Sequence, residues 1–176
     1  ILEEMKLAGI PRTIVIFTSL MKMYCVLNDE GKAFDIFNLM KNDGIKPNNQ
    51  IFSTIIQLLN RNKKIAQSLE IFYDLKKNKV KLDAIIYSFV INGCVFNKRL
   101  ETAIEILLES ISIDLKLPEE TYVNALEYLI SNKFMRSHDR MNHCSRICKA
   151  LKDKNYQINI DLYNRLMKVI YTRGKI

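Results

Sequence analysis

An all-α solenoid of stacked helix–turn–helix units is the fold class this sequence predicts, on three observations. One aromatic position recurs, with Phe17, Phe52, Tyr87 and Tyr122 standing 35 residues apart at each step. Ala33, Ser68 and Ala103 keep that step, as do Ile36, Ile71 and Ile106, and Asn48 and Asp83 close successive units. Gly and Pro are scarce, 5 and 3 among 176 residues, which suits helices joined by few irregular loops. A fixed period in this range marks a stacked repeat. Each helix pair is too short to bury its apolar face alone, so neighbours must stack.

The elements follow in order. Residues 1–13 read as the end of a partial repeat, with Gly9-Ile10-Pro11 closing its helix much as Gly44-Ile45-Lys46-Pro47 closes the next. Gly accepts the left-handed conformation at a helix C′ position, and Pro beyond it prevents continuation. In the unit 14–48, Phe17, Leu20, Met21 and Tyr24 lie at helical spacing in a helix near 15–27. Asn28-Asp29 supplies a turn, and a second helix near 30–43 turns Ala33, Phe34, Ile36, Phe37 and Met40 inward. The unit 49–83 repeats this with Phe52, Ile55, Ile56 and Leu59, then Ile65, Leu69, Ile71, Phe72 and Leu75. Its closing turn, Lys79 to Asp83, lacks both Gly and Pro. The unit 84–118 follows the same plan, from Tyr87 and Cys94 to Ala103 and Leu107. Residues 119–159 form a degenerate unit: Tyr163 follows Tyr122 by 41 residues, six over the period, and the excess is expected within Ser131–Asp139. A second helix is expected near 138–153, and 160–176 reads as the first helix of a partial repeat.

Composition narrows the function classes. With 48% hydrophobic and 26% charged residues the chain has enough apolar content for a domain-sized core. Its net charge of +8 favours a polyanionic partner. Cys25, Cys94, Cys144 and Cys148 sit inside apolar helical patterns without disulfide-like spacing, so a reducing compartment is expected. No apolar run reaches the roughly 18 residues of a membrane-spanning helix, and no membrane partner is expected. The opening ILEEMKLAG reads as helix rather than as a leader, and a piece of a longer protein is the expectation.

Catalytic signatures are weak. His138, His143, Cys144 and Cys148 are the one cluster with metal-binding residue types. Cys144 and Cys148 fall in the register of Ala33 and Phe37, however, which makes them core residues, and no metal or other cofactor is expected. A zinc deaminase would need His-x-Glu and Cys-x-x-Cys, but Arg140 and Ser145 follow the two histidines and no Cys-x-x-Cys exists. Gly-rich phosphate loops and nucleophile elbows are also missing, so the tract is read as non-catalytic.

The pattern Phe/Tyr-x-x-hydrophobic-hydrophobic, then Ala-x-x-Ile-Phe, then hydrophobic-Lys-Pro-Asn/Asp, at a period of 35, resembles the pentatricopeptide repeat (PPR). Ile14–Asn48 matches best, 49–83 well, and 84–118 fairly. The rival tetratricopeptide repeat has a 34-residue period and a Trp-containing signature, and this chain has no Trp. The resemblance implies a right-handed superhelical α-solenoid whose first helices line a groove for single-stranded RNA, one base per repeat.

It also implies which residues read the base: the fifth and the last of each repeat. These are Thr18 with Asn48, Ser53 with Asp83, and Ser88 with Pro118, while Val123 pairs with Asn159 and Asn164 opens the following unit. The family's pairing rule implies adenine for the first pair and guanine for the second. Second-position residues would sandwich the base, here Val15, Gln50 and Ile85, whereas Glu120 and Asp161 put acid there. Lys63, Lys64 and Lys81 are phosphate candidates from the Lys-rich turns. Bland readings stand beside these: Thr18, Ser53, Asn48 and Asp83 as cap or turn residues, the recurring aromatics as core, and the lysines as solvated helix ends.

The function implied is single-stranded RNA binding in organellar RNA processing, stability or translation, in a mitochondrion or plastid, with other proteins of an organellar RNA complex as further partners. Alternatives are a scaffold subunit of an organellar ribosome or processing complex, and the RNA-binding arm of a tRNA-processing nuclease. Pro118, Glu120, Val123 and Asp161 favour the scaffold, because they blunt the reading groove.

Overall fold

A computed structural model of the chain describes residues 2–131, 135–154 and Asn164. Among the described residues the ordered elements are helices: α1 (Leu2–Leu7), α2 (Ile14–Val26), α3 (Glu30–Asn42), α4 (Asn49–Arg61), α5 (Ile65–Lys77), α6 (Ala84–Phe96), α7 (Leu100–Ser112), α8 (Glu119–Ser131) and α9 (Ser137–Asp153). The fold is an all-α helical repeat. First helices start at 14, 49, 84 and 119. No helix among the described residues is long and apolar enough to cross a membrane.

The turns repeat as closely as the helices. Asn28, Lys63 and Lys98 end first helices in the left-handed region, at φ of 55°, 59° and 62°. Gly9, Gly44, Lys79 and Asp114 do the same at second helices, at φ of 67°, 73°, 56° and 56°. Each turn is closed by an N–H reaching back five residues to a carbonyl, as in Asp29 to Tyr24 (2.9 Å), Lys64 to Leu59 (2.8 Å) and Val80 to Leu75 (3.0 Å). This Schellman geometry satisfies carbonyls that the helix end would otherwise leave open. Lys79 thus takes the conformation Gly44 takes one repeat earlier, in a turn that carries no Gly or Pro signal.

Among the described residues three N-termini carry a side-chain cap, whereas Thr13 at the start of α2 makes none. Asp29 accepts from the Lys32 N–H (3.1 Å), Asn48 from Ile51 (3.0 Å) and Asp83 from Ile86 (3.0 Å). Such a side-chain cap is worth about 1 kcal/mol.

The chain divides into two compact units, Ile1–Leu82 and Asp83–Ile176. In the first, α2 packs on α3 and α4, and α4 on α5. Its core is Phe17, Met21, Ile36, Met40, Ile51, Ile55 and Leu59. Leu20, Tyr24, Phe34, Phe37 and Ile71 are expected inward but are half-buried, packing along the margin of that core. Phe52 is half-buried too, edge-on to Phe37 with centroids 6.3 Å apart. A layer only two helices thick cannot enclose so many large side chains.

In the second unit, α6 packs on α7 and α8, and α9 on α7 and α8. Tyr87, Ile91, Cys94, Ala103, Leu107, Leu126 and Ile147 are buried there. Tyr87 donates its hydroxyl to Glu109 at 2.8 Å, and Tyr122 accepts from the Leu117 N–H at 3.4 Å. The irregular unit is resolved into two changes. α9 begins at Ser137, two residues later than the register of α3, α5 and α7, and it runs 17 residues where those run 13. Asn159, Asp161 and Tyr163, with nearly all of the partial helix in 160–176, lie outside the described residues.

Candidate nucleic-acid interface

The exposed face of each first helix starts from its second residue and continues at four-three-four spacing. On α2 this stripe is Val15, Ser19, Lys22 and Val26, all exposed. On α4 it is Gln50, Thr54, Gln57 and Arg61, exposed at its two ends. Val15 is 69% exposed and Ile85 on α6 53%. Both stand free to meet a flat apolar surface from solvent, and Gln50 offers the same position with an amide.

Beside that stripe lie Thr18, Ser53 and Ser88, each nearly buried. Their hydroxyls turn back onto their own helices: Thr18 donates to the Ile14 carbonyl (2.7 Å), Ser53 to Gln50 (3.0 Å) and Ser88 to Ala84 (2.7 Å). With the proton committed to the backbone, each oxygen retains lone pairs and acts as an acceptor. These residues are not N-caps. The caps are Asn48 and Asp83, and capping fixes what each can still offer. Asn48 uses its carbonyl oxygen on the Ile51 N–H, leaving its amide N–H groups as donors. Asp83 uses Oδ1 on the Ile86 N–H, leaving Oδ2 as an acceptor. Capping and base contact are therefore compatible roles for the same side chain.

The remaining sites divide. Pro118 is exposed without a side-chain donor or acceptor, Val123 is half-buried, and Glu120 is exposed. Asn164 is helical and exposed. Among the lysines, Lys63 and Lys81 are exposed, whereas Lys64 is held by Glu30, Nζ to Oε1 2.7 Å. Asn62 donates to the other Glu30 oxygen at 2.9 Å, and these two bonds hold the Glu30 carboxyl below its usual range. Lys64 is thus a neutralised cation and weaker as a phosphate contact than its sequence position implies.

Sequence reasoning passed over Lys22 and Arg61. Both stand on the exposed stripes that begin at Val15 and Gln50. Arg61 is steadied by donating to the Cys25 carbonyl at 3.2 Å. The four-three-four spacing from the second position was the available signal, obscured by the denser lysines of the turns.

The Cys/His cluster packs as core. Cys144 is buried and Cys148 half-buried, and burial raises both thiols, that of Cys144 to about 11. His143 is buried with Nε2 3.2 Å from Glu101 Oε1, and His138 is exposed. Among the described residues no group of three or more His, Cys, Asp or Glu side chains could hold a metal ion.

The sequence model for pentatricopeptide repeat-containing proteins matches residues 1–109. The chain belongs to the PPR family. Solved PPR structures share its fold. The crystal structure of PPR10 from maize superposes with a TM-score of 0.71 at 17% identity, over 97% of this chain and 27% of that one. PPR10 in complex with an 18-nt psaJ RNA element gives 0.69 at 19% identity, over 99% and 25%. The PPR domain of Arabidopsis thaliana protein-only RNase P 1, in complex with tRNA, gives 0.69 at 16% identity, over 96% and 86%. This PPR chain spans about a quarter of the length of PPR10. No curated protein matches it in sequence. Thr18, Ser53 and Ser88 are the fifth residues of α2, α4 and α6, and Asn48 and Asp83 immediately precede α4 and α6.

Proposed function

We propose that this PPR tract binds single-stranded RNA and reads adenine with Thr18 and Asn48, next to the exposed Val15. One observation carries the reading: the backbone bonds of these two side chains leave an acceptor at Thr18 and a donor at Asn48. Adenine presents the complementary pair on its Watson–Crick edge, an exocyclic N–H donor and a ring-nitrogen acceptor. Asp83 retains an acceptor, which suits the N–H groups of guanine. The RNA in the complexes of PPR10 and of the Arabidopsis domain supports RNA binding, the coarser part of this reading. Binding, not catalysis, is assigned to the tract, in RNA processing, stability or translation within a mitochondrion or plastid, as the family's usual work implies.

The test is fluorescence anisotropy with short uridine-rich RNAs carrying adenine-guanine or swapped bases, at two salt concentrations. The Thr18→Asn/Asn48→Asp variant replaces the pair with one that the family rule assigns to uracil. The expected result is a preference for adenine that moves to uracil in the variant by about tenfold, the equivalent of 1.4 kcal/mol. Equal, salt-sensitive binding of every strand would overturn base reading and favour a scaffold role.

A further inference from the structure

The second unit carries a face that is a poor match for RNA. On α6 the stripe reads Ile85, Phe89, Asn92 and Phe96, and this helix has no charged residue. Phe96 is 74% exposed, Ile85 is exposed, and Phe89 and Asn92 are half-buried. α8 packs beside α6, and Asn124 donates to the Asn92 side chain at 3.2 Å, joining the two ridges at their middle. Along α8, Glu119, Glu120 and Glu127 are exposed, and this helix has no Lys or Arg.

An apolar ridge therefore runs beside a ridge of carboxylates. The corresponding stripes of the first unit are different: Lys22 is the one charged residue of α2, Arg61 the one of α4. RNA brings a phosphate with every nucleotide, and three carboxylates repel it at short range. An amphipathic helix with a basic flank meets both ridges favourably. Its apolar residues at i, i+4 and i+11 cover Ile85, Phe89 and Phe96, and its Lys or Arg residues face the glutamates. The ridge from 85 to 96 is about 16 Å long at 1.5 Å per residue, matching about three turns of such a helix.

We propose that the α6–α8 face docks a basic amphipathic helix of a partner protein. The site would make this tract a bridge, with RNA held around Thr18 and Asn48 and a protein held by α6 and α8. An acidic docking face on a chain of net charge +8 also selects against non-specific RNA at that position.

The test uses the whole chain and a synthetic 14-residue helix with leucines on one face and lysines on its flanks. A control peptide carries Glu for every Lys, and a uridine-rich 12-mer RNA is the third probe. The lysine peptide is expected to bind with micromolar Kd and to shift amide resonances of α6 and α8. Phe96→Ser and the Glu119→Lys/Glu120→Lys pair should each weaken it at least tenfold, with Phe96→Ser leaving RNA affinity within twofold. All three sites are exposed, and an unchanged circular dichroism spectrum checks that the variants fold. No binding of the lysine peptide, equal binding of the glutamate peptide, or shifts outside α6 and α8 would overturn the proposal. So would a Phe96→Ser variant that loses RNA affinity in place of peptide affinity, which would make this face part of the RNA groove.

Discussion

Ser68 is fully buried where Ala33 and Ala103 stand in the neighbouring repeats, and its hydroxyl has no hydrogen-bond partner. A buried hydroxyl without a partner carries its desolvation cost uncompensated, and alanine fills the same small volume. Ser68→Ala is therefore expected to raise stability by about 1 kcal/mol, read as a higher urea midpoint at unchanged slope. A lower midpoint would mean that the hydroxyl is satisfied in solution. Lys79 gives a second case at this scale. Its φ of 56° lies in the region that costs an L-residue about 1–2 kcal/mol, and Gly9 and Gly44 hold the same register. Glycine's larger unfolded-state entropy takes back part of that gain, so Lys79→Gly should stabilise by about 0.5–1 kcal/mol. Gly44→Lys should lose a similar amount, from the backbone alone, since nothing lies within 4 Å of a Cβ built there.

Helix positions were legible in the sequence because burial repeats with the helical period: the aromatic register falls on the buried or half-buried faces of α2, α4, α6 and α8, and the small-residue register on the buried faces of α3, α5 and α7. The left-handed conformation at Lys63, Lys79, Lys98 and Asp114 was not, because the cap there is imposed by the repeat geometry and not by a residue that prefers it. The return of the Thr18 hydroxyl to its own helix and the pairing of Lys64 with Glu30 were hidden for related reasons. One is a rotamer choice and the other a contact across 34 residues, and neither leaves a periodic trace. The cysteines show what an element's buried face does to chemistry. Burial pushes the thiols of Cys94 in α6 and Cys144 in α9 up to about 11 from an ordinary 9.0. Burial and its bond to Glu109 push the Tyr87 phenol the same way. In each case the folded chain keeps its proton longer than the unfolded chain. Their contribution to stability is thus complete below about pH 9 and falls as pH rises toward 11. Urea midpoints measured from pH 8 to 10.5 should decline, and the Cys94→Ala/Cys144→Ala variant should decline less steeply. An equally steep decline would assign the alkaline loss to other groups. At pH 8, iodoacetamide should modify the half-buried Cys148 before the buried Cys94 and Cys144.

At the scale of the whole molecule the net charge of +8 says only that polyanions are attracted, and the arrangement of that charge decides which contacts would position RNA under the proposed function. Lys22 and Arg61 stand on the exposed stripes of α2 and α4, and Lys64 is tied to Glu30. A cation that neutralises one phosphate of a single strand releases its counterion, contributing about −0.7 to the slope of log K against log salt. Lys22→Ala and Arg61→Ala should each flatten that slope by about 0.7 and weaken every sequence alike. Lys64→Ala should leave the slope nearly unchanged, because its charge is already matched by a carboxylate. The Thr18→Asn/Asn48→Asp pair should differ from the two stripe variants by changing base preference: it removes no cation, and the one carboxylate it adds should move the slope less than the loss of a phosphate-bound cation. Anisotropy titrations of the four proteins at three or more salt concentrations separate these outcomes. If Lys64→Ala flattens the slope as much as Lys22→Ala, phosphates are held at the turns and the exposed stripes lose their positioning role. If the Thr18/Asn48 variant weakens all strands equally, those side chains support the helix ends and do not read the base.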